Sequence, residues 1–380
     1  MTKNLIFIFY SDLGPDDRFK YGLDPLAEQG FKTTAWVFYP LVTGERPRPS
    51  DHLVFSAWPQ LEAAIAALEP GTVLLDFFAG LSVMTFRMER IYRMFKKANL
   101  KLVIPSVAPL PLGIGYSLAQ RLKGITSRKL KDFVGSRVLF LAKKHTHLYP
   151  KPVKVFSLDN DSLEYYCRRN HYDPELVVPI HSMEYDRFLR FVRAGGRLQV
   201  KEKAVFLDEA FVSHPDKLRV LGLSEVPGAE VYFEKMTQLF NRIEQQTGLN
   251  VIIAAHPRVQ YQNEWGDREV VYHQSLEQVA QAKIVVAHSS TSVSLAVLFD
   301  RPLLLVDLKG ANRLVGIMSR LLKASRIDLE NPRELEYFNF KDFANRSNSY
   351  QFYRDHYLKS PKADPKKTCW EIIGPALKEL

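Results

Sequence analysis

Cysteine is scarce, with only Cys167 and Cys369 in 380 residues. They lie far apart, so no disulfide framework and no CxxC motif can be drawn, and a reducing compartment is the expected home. Long apolar runs are missing too. Nothing approaches the roughly 18 consecutive apolar residues of a spanning helix. Leu5–Phe9 is shorter than the core of a secretory signal and has no small-residue cleavage site after it, so it reads as a buried first strand. No Gly-Lys-Ser/Thr loop is present, which excludes P-loop nucleotide hydrolysis. No GxGxxG follows the first strand. Leu112-Gly113-Ile114-Gly115-Tyr116 lacks the third glycine and disfavours a nicotinamide enzyme. No internal repeat or low-complexity tract is visible, and the composition excludes a disordered or fibrous chain.

What is present is an ordinary globular composition, 46% hydrophobic and 25% charged, with a formal net charge of +10. Such a charge favours an anionic partner without identifying it. Short apolar runs alternate with segments of helical period, as parallel strands covered by helices do. Strands are expected at Leu5–Phe9, Thr33–Phe38, Val73–Asp76, Leu102–Ile104, Val153–Ser157 and Leu176–Pro179, with helices between. In Val83–Ala98, Met84, Met88, Ile91, Tyr92 and Phe95 recur at helical spacing and mark one buried face. Arg193–Lys203 combines Gly195-Gly196 with a charged run, as an interdomain linker does. Beyond it the alternation resumes with strands Ala204–Leu207, Asn250–Ala255, Glu269–Tyr272, Ile284–Ala287 and Leu303–Val306. The expected architecture is α/β, two Rossmann-like doubly wound domains facing across a cleft. They comprise residues 1–192 and 204–335, joined by the linker 193–203 and followed by a helical tail, 336–380.

Open α/β sheets bind ligands at the carboxyl ends of their strands, and chemically useful residues follow three strands of the second half. Ala204–Leu207 delivers Asp208-Glu209, carboxylates suited to taking a proton from an attacking hydroxyl or to attacking a sugar carbon. A capping or ion-pair role is the structural alternative for such a pair. Asn250–Ala255 delivers His256-Pro257-Arg258, where proline restricts the histidine backbone and Arg258 offers a bidentate phosphate contact. Ile284–Ala287 delivers His288-Ser289-Ser290-Thr291-Ser292 ahead of an apolar helix, more hydroxyls than capping requires. Together these describe a site for a phosphorylated donor.

The second half resembles the donor domain of GT-B type glycosyltransferases of the bacterial surface-polysaccharide group. The order acid pair, His256-Pro257, Ser289-Ser290-Thr291 is similar to the motifs of bacterial sialyltransferases, and to those of Kdo transferases and CDP-glycerol glycerophosphotransferases. The resemblance implies a CMP-activated donor. It also implies an acid as general base, a histidine supporting the departing phosphate, and hydroxyls binding that phosphate. Ala210 stands where the sialyltransferase motif has glycine, and the acid pair follows the linker rather than lying in the first domain.

On these grounds Asp208, Glu209 and His256 are the expected catalytic residues. Pro257, Arg258, His288, Ser289, Ser290, Thr291 and Ser292 are expected to bind the donor. Ser11, Asp12, Gly14 and His181 follow strands of the first half and are the candidates for the acceptor. The expected activity moves an acidic sugar, Kdo-like or sialic-acid-like, from a CMP donor to a surface polysaccharide or lipid-linked glycan. Polyol-phosphate transfer from CDP-glycerol is the enzymatic rival, and a noncatalytic glycan- or lipid-binding protein of the same fold is the other. No cofactor is expected beyond the nucleotide-sugar co-substrate. No metal is expected either: Asp159-Asn160-Asp161 reads as a turn, and His145 with His147 lacks a third ligand. Residues 121–144 interleave eight cations with apolar side chains and suit peripheral contact with an anionic membrane, placing the protein in the cytoplasm or on the inner membrane face. No nucleic-acid-binding motif accompanies the charge, so nucleic acid is not an expected partner.

Overall fold

The computed structural model describes residues 2–11, 13–14, 17–77, 85–107, 150–158, 173–212, 228–257, 259–308, 312–345 and 349–380. The chain forms two compact units, Met1–Met183 with Lys359–Leu380, and Glu184–Leu358.

The first unit is built on seven strands: β1 (Asn4–Phe9), β2 (Lys32–Val37), β3 (Leu53–Val54), β4 (Val73–Asp76), β5 (Lys101–Ser106), β6 (Pro152–Ser157) and β7 (Val177–Pro179). All pairings are parallel, in the order β3-β2-β1-β4-β5-β6-β7. Strand β1 is apolar at consecutive positions because both of its faces are covered. Leu5, Phe7 and Phe9 enter one core with Leu23, Leu26, Trp370 and Ile373, while Ile6 and Ile8 enter another with Trp36, Phe38, Ile91 and Phe95. Helix Phe86–Lys97 begins where the Thr85 hydroxyl accepts the Met88 N–H at 3.2 Å, and it buries Met88, Ile91, Tyr92 and Phe95 as the spacing predicts. Met84, expected on that stripe, lies outside the described residues.

The end of the chain returns to this unit. Helix Cys369–Lys378 opens with a capping box: Thr368 Oγ1 accepts the Glu371 N–H at 3.2 Å, and Glu371 Oε2 accepts the Thr368 N–H at 2.7 Å. Cys369, Trp370, Ile373 and Leu377 are buried in the same core as Leu23 and Leu26. Gly22, at φ +89°, makes room for Trp370, since a Cβ there would lie 2.4 Å from the indole. Gln29 donates to the carbonyls of Trp370 (3.0 Å) and Pro25 (3.1 Å). The expected tail 336–380 is therefore divided, because only residues from Lys359 onward belong to the first unit.

In the second unit β8 (Lys203–Leu207), β9 (Asn250–Ala255), β10 (Val270–Tyr272), β11 (Ile284–Ala287), β12 (Leu303–Asp307) and β13 (Ser325–Asp328) pair in the order β10-β9-β8-β11-β12-β13, again all parallel. Helix Ala229–Thr247 ends at Gly248, whose φ of +72° lets its N–H bond the Glu244 carbonyl at 2.9 Å. The change of unit falls at residues 183/184 and not in the expected linker 193–203. Gly195-Gly196 instead closes helix Met183–Arg193, with Gly195 at φ +73° and the Gly196 N–H on the Phe191 carbonyl at 2.9 Å. That helix packs Phe188 and Phe191 edge-on against Phe299, with ring centroids 5.1 and 5.6 Å away. The segment after it is tied to the same unit by Arg301, which donates to the Leu198 carbonyl at 3.3 Å.

Candidate functional site

In both sheets the connections reverse direction beside the central strand, between β1 and β4 and between β8 and β11. The carboxyl ends at such a switch point are where open α/β sheets bind ligands. In the second unit β9, β8 and β11 are consecutive neighbours, and Leu207 is in register with Ala254 on one side and Ala287 on the other. The next residues, Asp208, Ala255-His256 and His288-Ser289, therefore emerge side by side. The three motifs, far apart in sequence, meet at one sheet edge.

Their side chains differ in what they face. Asp208 is buried. Its Oδ1 accepts the Ala210 N–H at 2.9 Å, and its Oδ2 accepts the His256 N–H at 3.1 Å and the Tyr261 hydroxyl at 2.8 Å. Ala210 itself stands at φ +52°, a left-handed conformation that explains why glycine suits this position in the motif. Glu209 is buried as well. His256 is half-buried and Pro257 is exposed, while Arg258 lies outside the described residues.

His288 departs from its expected role in donor binding. The ring is fully buried, edge-on to Phe206 and tilted against Phe211 and Tyr232, with centroids 5.1 to 5.8 Å away. Its Nδ1 lies 2.9 Å from the Val306 carbonyl, which only accepts, so Nδ1 carries the proton. Its Nε2 accepts from Tyr232 Oη at 3.1 Å. Burial, reinforced by the negative charge of Asp208, pushes the Tyr232 hydroxyl well above its usual range and keeps it a donor. His288 thus anchors the strand end from which the hydroxyls project. Ser289, Ser290 and Ser292 are half-buried and Thr291 is exposed, directly before helix Val293–Leu298. Ser290 Oγ accepts the Ser292 N–H at 3.0 Å, and the two hydroxyls bond each other. No hydroxyl from Ser292 caps the helix. Among the described residues of the three motifs, these hydroxyls and the His256 side chain belong to residues with surface exposed.

Of the acceptor candidates, Ser11 is exposed and Gly14 half-buried, its N–H donating to Asp17 Oδ2 at 2.8 Å. Asp12 lies outside the described residues. His181 is fully buried, and this removes it from acceptor binding. Its Nδ1 accepts the Ser360 N–H at 3.1 Å and its Nε2–H donates to the Asp364 carbonyl at 2.9 Å, fastening the returning tail. Burial lowers its pKa and holds it neutral. The basic stretch 121–144, the Asp159–Asp161 triplet and His145 and His147 also fall outside the described residues. Among the described residues no three His, Cys, Asp or Glu side chains group as metal ligands, and no helix is long and apolar enough to cross a membrane.

Several polar residues near the strand ends carry no motif. Tyr261 reaches Asp208 from 53 positions downstream, and Tyr232 comes from the long helix. In the first unit Asp76, buried at the end of β4, accepts from Tyr92 Oη at 2.7 Å. Asp307, buried at the end of β12, lies 3.2 Å from Arg326 Nε and is pushed up to about 6 by burial. The continuous apolar runs Val73–Leu75 and Leu303–Val306 place Asp76 and Asp307 at the ends of their strands, but nothing in the sequence pairs them with their partners.

No protein-family model matches the chain, and no curated protein sequence does. Solved structures do resemble it. A UDP-GlcNAc 2-epimerase from Methanocaldococcus jannaschii superposes with a TM-score of 0.52 at 9% identity, covering 100% of both chains. A variant of the wall teichoic acid polymerase TagF superposes with a TM-score of 0.50 at 10% identity, covering 100% of this chain and 88% of that one. Such identities speak for architecture alone. Two parallel sheets of seven and six strands with interleaved helices make this a chain of two Rossmann-like domains, the GT-B fold.

Proposed function

We propose that this chain is a nucleotide-sugar-dependent glycosyltransferase, moving an acidic sugar from a CMP-activated donor to a surface polysaccharide or lipid-linked glycan. The observation that carries the reading is the meeting of the β8, β9 and β11 ends at the switch point of the second unit, with His256 and the hydroxyls of Ser289, Ser290 and Ser292 accessible there. In the reaction an acceptor hydroxyl attacks the anomeric carbon and the bond from that carbon to the phosphate oxygen breaks. CMP leaves with the electron pair, and the acceptor proton passes to a carboxylate. Negative charge grows on the departing phosphate, so hydrogen-bond donors belong where it sits. His256 and the serine hydroxyls supply them, and one carboxylate of the 208–209 acid pair takes the acceptor proton.

A second reading is polyol-phosphate transfer from a CDP-linked donor, favoured by the likeness to the wall teichoic acid polymerase. Both readings release CMP and differ in product, a glycoside in one and a phosphodiester in the other. A thermal-shift panel of CMP, CDP, UDP and GDP tests the donor class, because a ligand that binds only the folded chain raises its stability. Stabilisation by CMP or CDP that His256→Ala weakens is the expected result, and a response to UDP alone refutes the donor assignment. Phosphorus NMR of the product then separates the two reactions.

A further inference from the structure

We propose that Asp208 is a positioning residue for His256, and that its carboxylate is not the base that deprotonates the acceptor. This rests on the reading of the site above and refines it. Asp208 stands where three pieces of chain must be joined: the end of β8, the end of β9 and the loop carrying Tyr261. Its backbone extends the β8–β9 ladder by one rung, with the Asp208 N–H on the Ala254 carbonyl at 3.1 Å. The side chain then bonds each piece once, through the N–H groups of Ala210 and His256 and the hydroxyl of Tyr261, at 2.8 to 3.1 Å.

A carboxylate has about four lone-pair positions. Three of Asp208's are taken by groups of its own chain, and its surface is 6% exposed. A general base must bring an oxygen within hydrogen-bond reach of the substrate proton. Asp208 is instead turned inward. Two of its three donors are backbone N–H groups and cannot leave, and the third is held as a donor. Burial and the adjacent charge of Asp208 raise Tyr261 far above the range in which a phenol ionises.

The consequence falls on His256. Its N–H is pinned by Asp208, and Pro257 restricts its backbone from the other side. The backbone from which the imidazole springs is therefore held by a carboxylate whose three side-chain bonds all go to its own chain. The Ala210 N–H bond also holds the left-handed turn at φ +52° that takes the chain away from β8. Replacing Asp208 by asparagine leaves the shape but turns one acceptor into an N–H₂ group facing donors.

The test is steady-state kinetics with pH profiles on full-length Asp208→Asn and Tyr261→Phe, alongside NMR of the His256 ring. For Asp208→Asn the donor KM should rise about tenfold, equivalent to about 1.4 kcal/mol, more than kcat falls, with both limbs of the pH profile unmoved. Tyr261→Phe removes one donor and should raise KM about threefold in the same pattern. In both variants the His256 imidazole resonance should shift. If Asp208→Asn instead lowers kcat a thousandfold or more at unchanged KM and abolishes the acidic limb, Asp208 is the base and the proposal falls. Should Asp208→Asn fail to fold, Tyr261→Phe decides alone, and unchanged KM with an unmoved His256 resonance overturns the proposal. A wild-type protein that turns over no nucleotide-activated donor sinks the functional reading instead. The His256 resonance still tests the positioning claim in that event.

Discussion

Replacing Gly22 by alanine tests how the end of the chain is held on the first unit. Two penalties meet at this position. The backbone sits at φ +89°, where a Cβ costs about 1–2 kcal/mol. The same Cβ would lie 2.4 to 2.5 Å from three atoms of the Trp370 indole, a buried and rigid neighbour that cannot swing aside without opening the core it shares with Leu23 and Leu26. Overpacking of this kind costs about 1–3 kcal/mol, so Gly22→Ala should destabilise the first unit by about 2–5 kcal/mol. Gly30→Ala is the internal control. That residue stands at φ +90° with nothing within 4 Å of its would-be Cβ, and it should show the dihedral penalty alone. Urea unfolding followed by tryptophan fluorescence, with limited proteolysis across 359–380, reads the difference. Two units need not unfold together, so the proteolysis assigns the change to the first. If Gly22→Ala is no worse than Gly30→Ala, the indole does not confine that glycine and the account of the tail is wrong.

Two further predictions concern buried titratable groups. The His181 pKa is lowered, chiefly by burial, from an ordinary value of 6.5, so the unfolded chain takes up its proton first as pH falls. The stability His181 contributes is full above that value and declines below it. Proteolysis of the tail should accelerate between pH 7.5 and 5.5, a dependence that His181→Ala removes. An Ala variant as resistant as wild type at pH 7.5 would exclude the latch, since the stranded Ser360 N–H should cost about 1–3 kcal/mol. Asp307 runs the other way: its pKa rises from 3.8 to about 6, so its burden is full above pH 6 and fades as pH falls toward 3.8. Asp307→Asn should therefore raise stability by about 1–3 kcal/mol at pH 8 and by nothing at pH 4. A lower urea midpoint at pH 8 would mean that Arg326 compensates the charge in full.

Most strands were legible because each centres on a short apolar run; β4 and β9 coincide with the segments Val73–Asp76 and Asn250–Ala255. β3 and β13 were not, because Leu53–Val54 is only two residues long and Ser325-Arg326-Ile327-Asp328 is an edge strand with one buried residue, and both read as loop. The unit boundary was misplaced for a local reason. Gly195-Gly196 satisfies a helix end as well as a linker, and only the contact of Phe188 and Phe191 with Phe299 tells them apart. At the site, composition located the strand ends but not the direction of each side chain. His288 and His181 look like ligands in sequence and are interior groups. The residues that fix this, Tyr232 and Val306 for one and Ser360 and Asp364 for the other, lie 18 to 183 positions away.

During synthesis the ribosome delivers the sheet of the first unit long before helix Cys369–Lys378, with all of Glu184–Leu358 emerging in between. Until then the groove lined by Leu23, Leu26 and Phe31 has no cover, leaving a greasy strip on the nascent chain. The core of the first unit is completed only when this helix arrives, so a nonsense codon between residues 358 and 369 would strip a core element from the part of the protein made first.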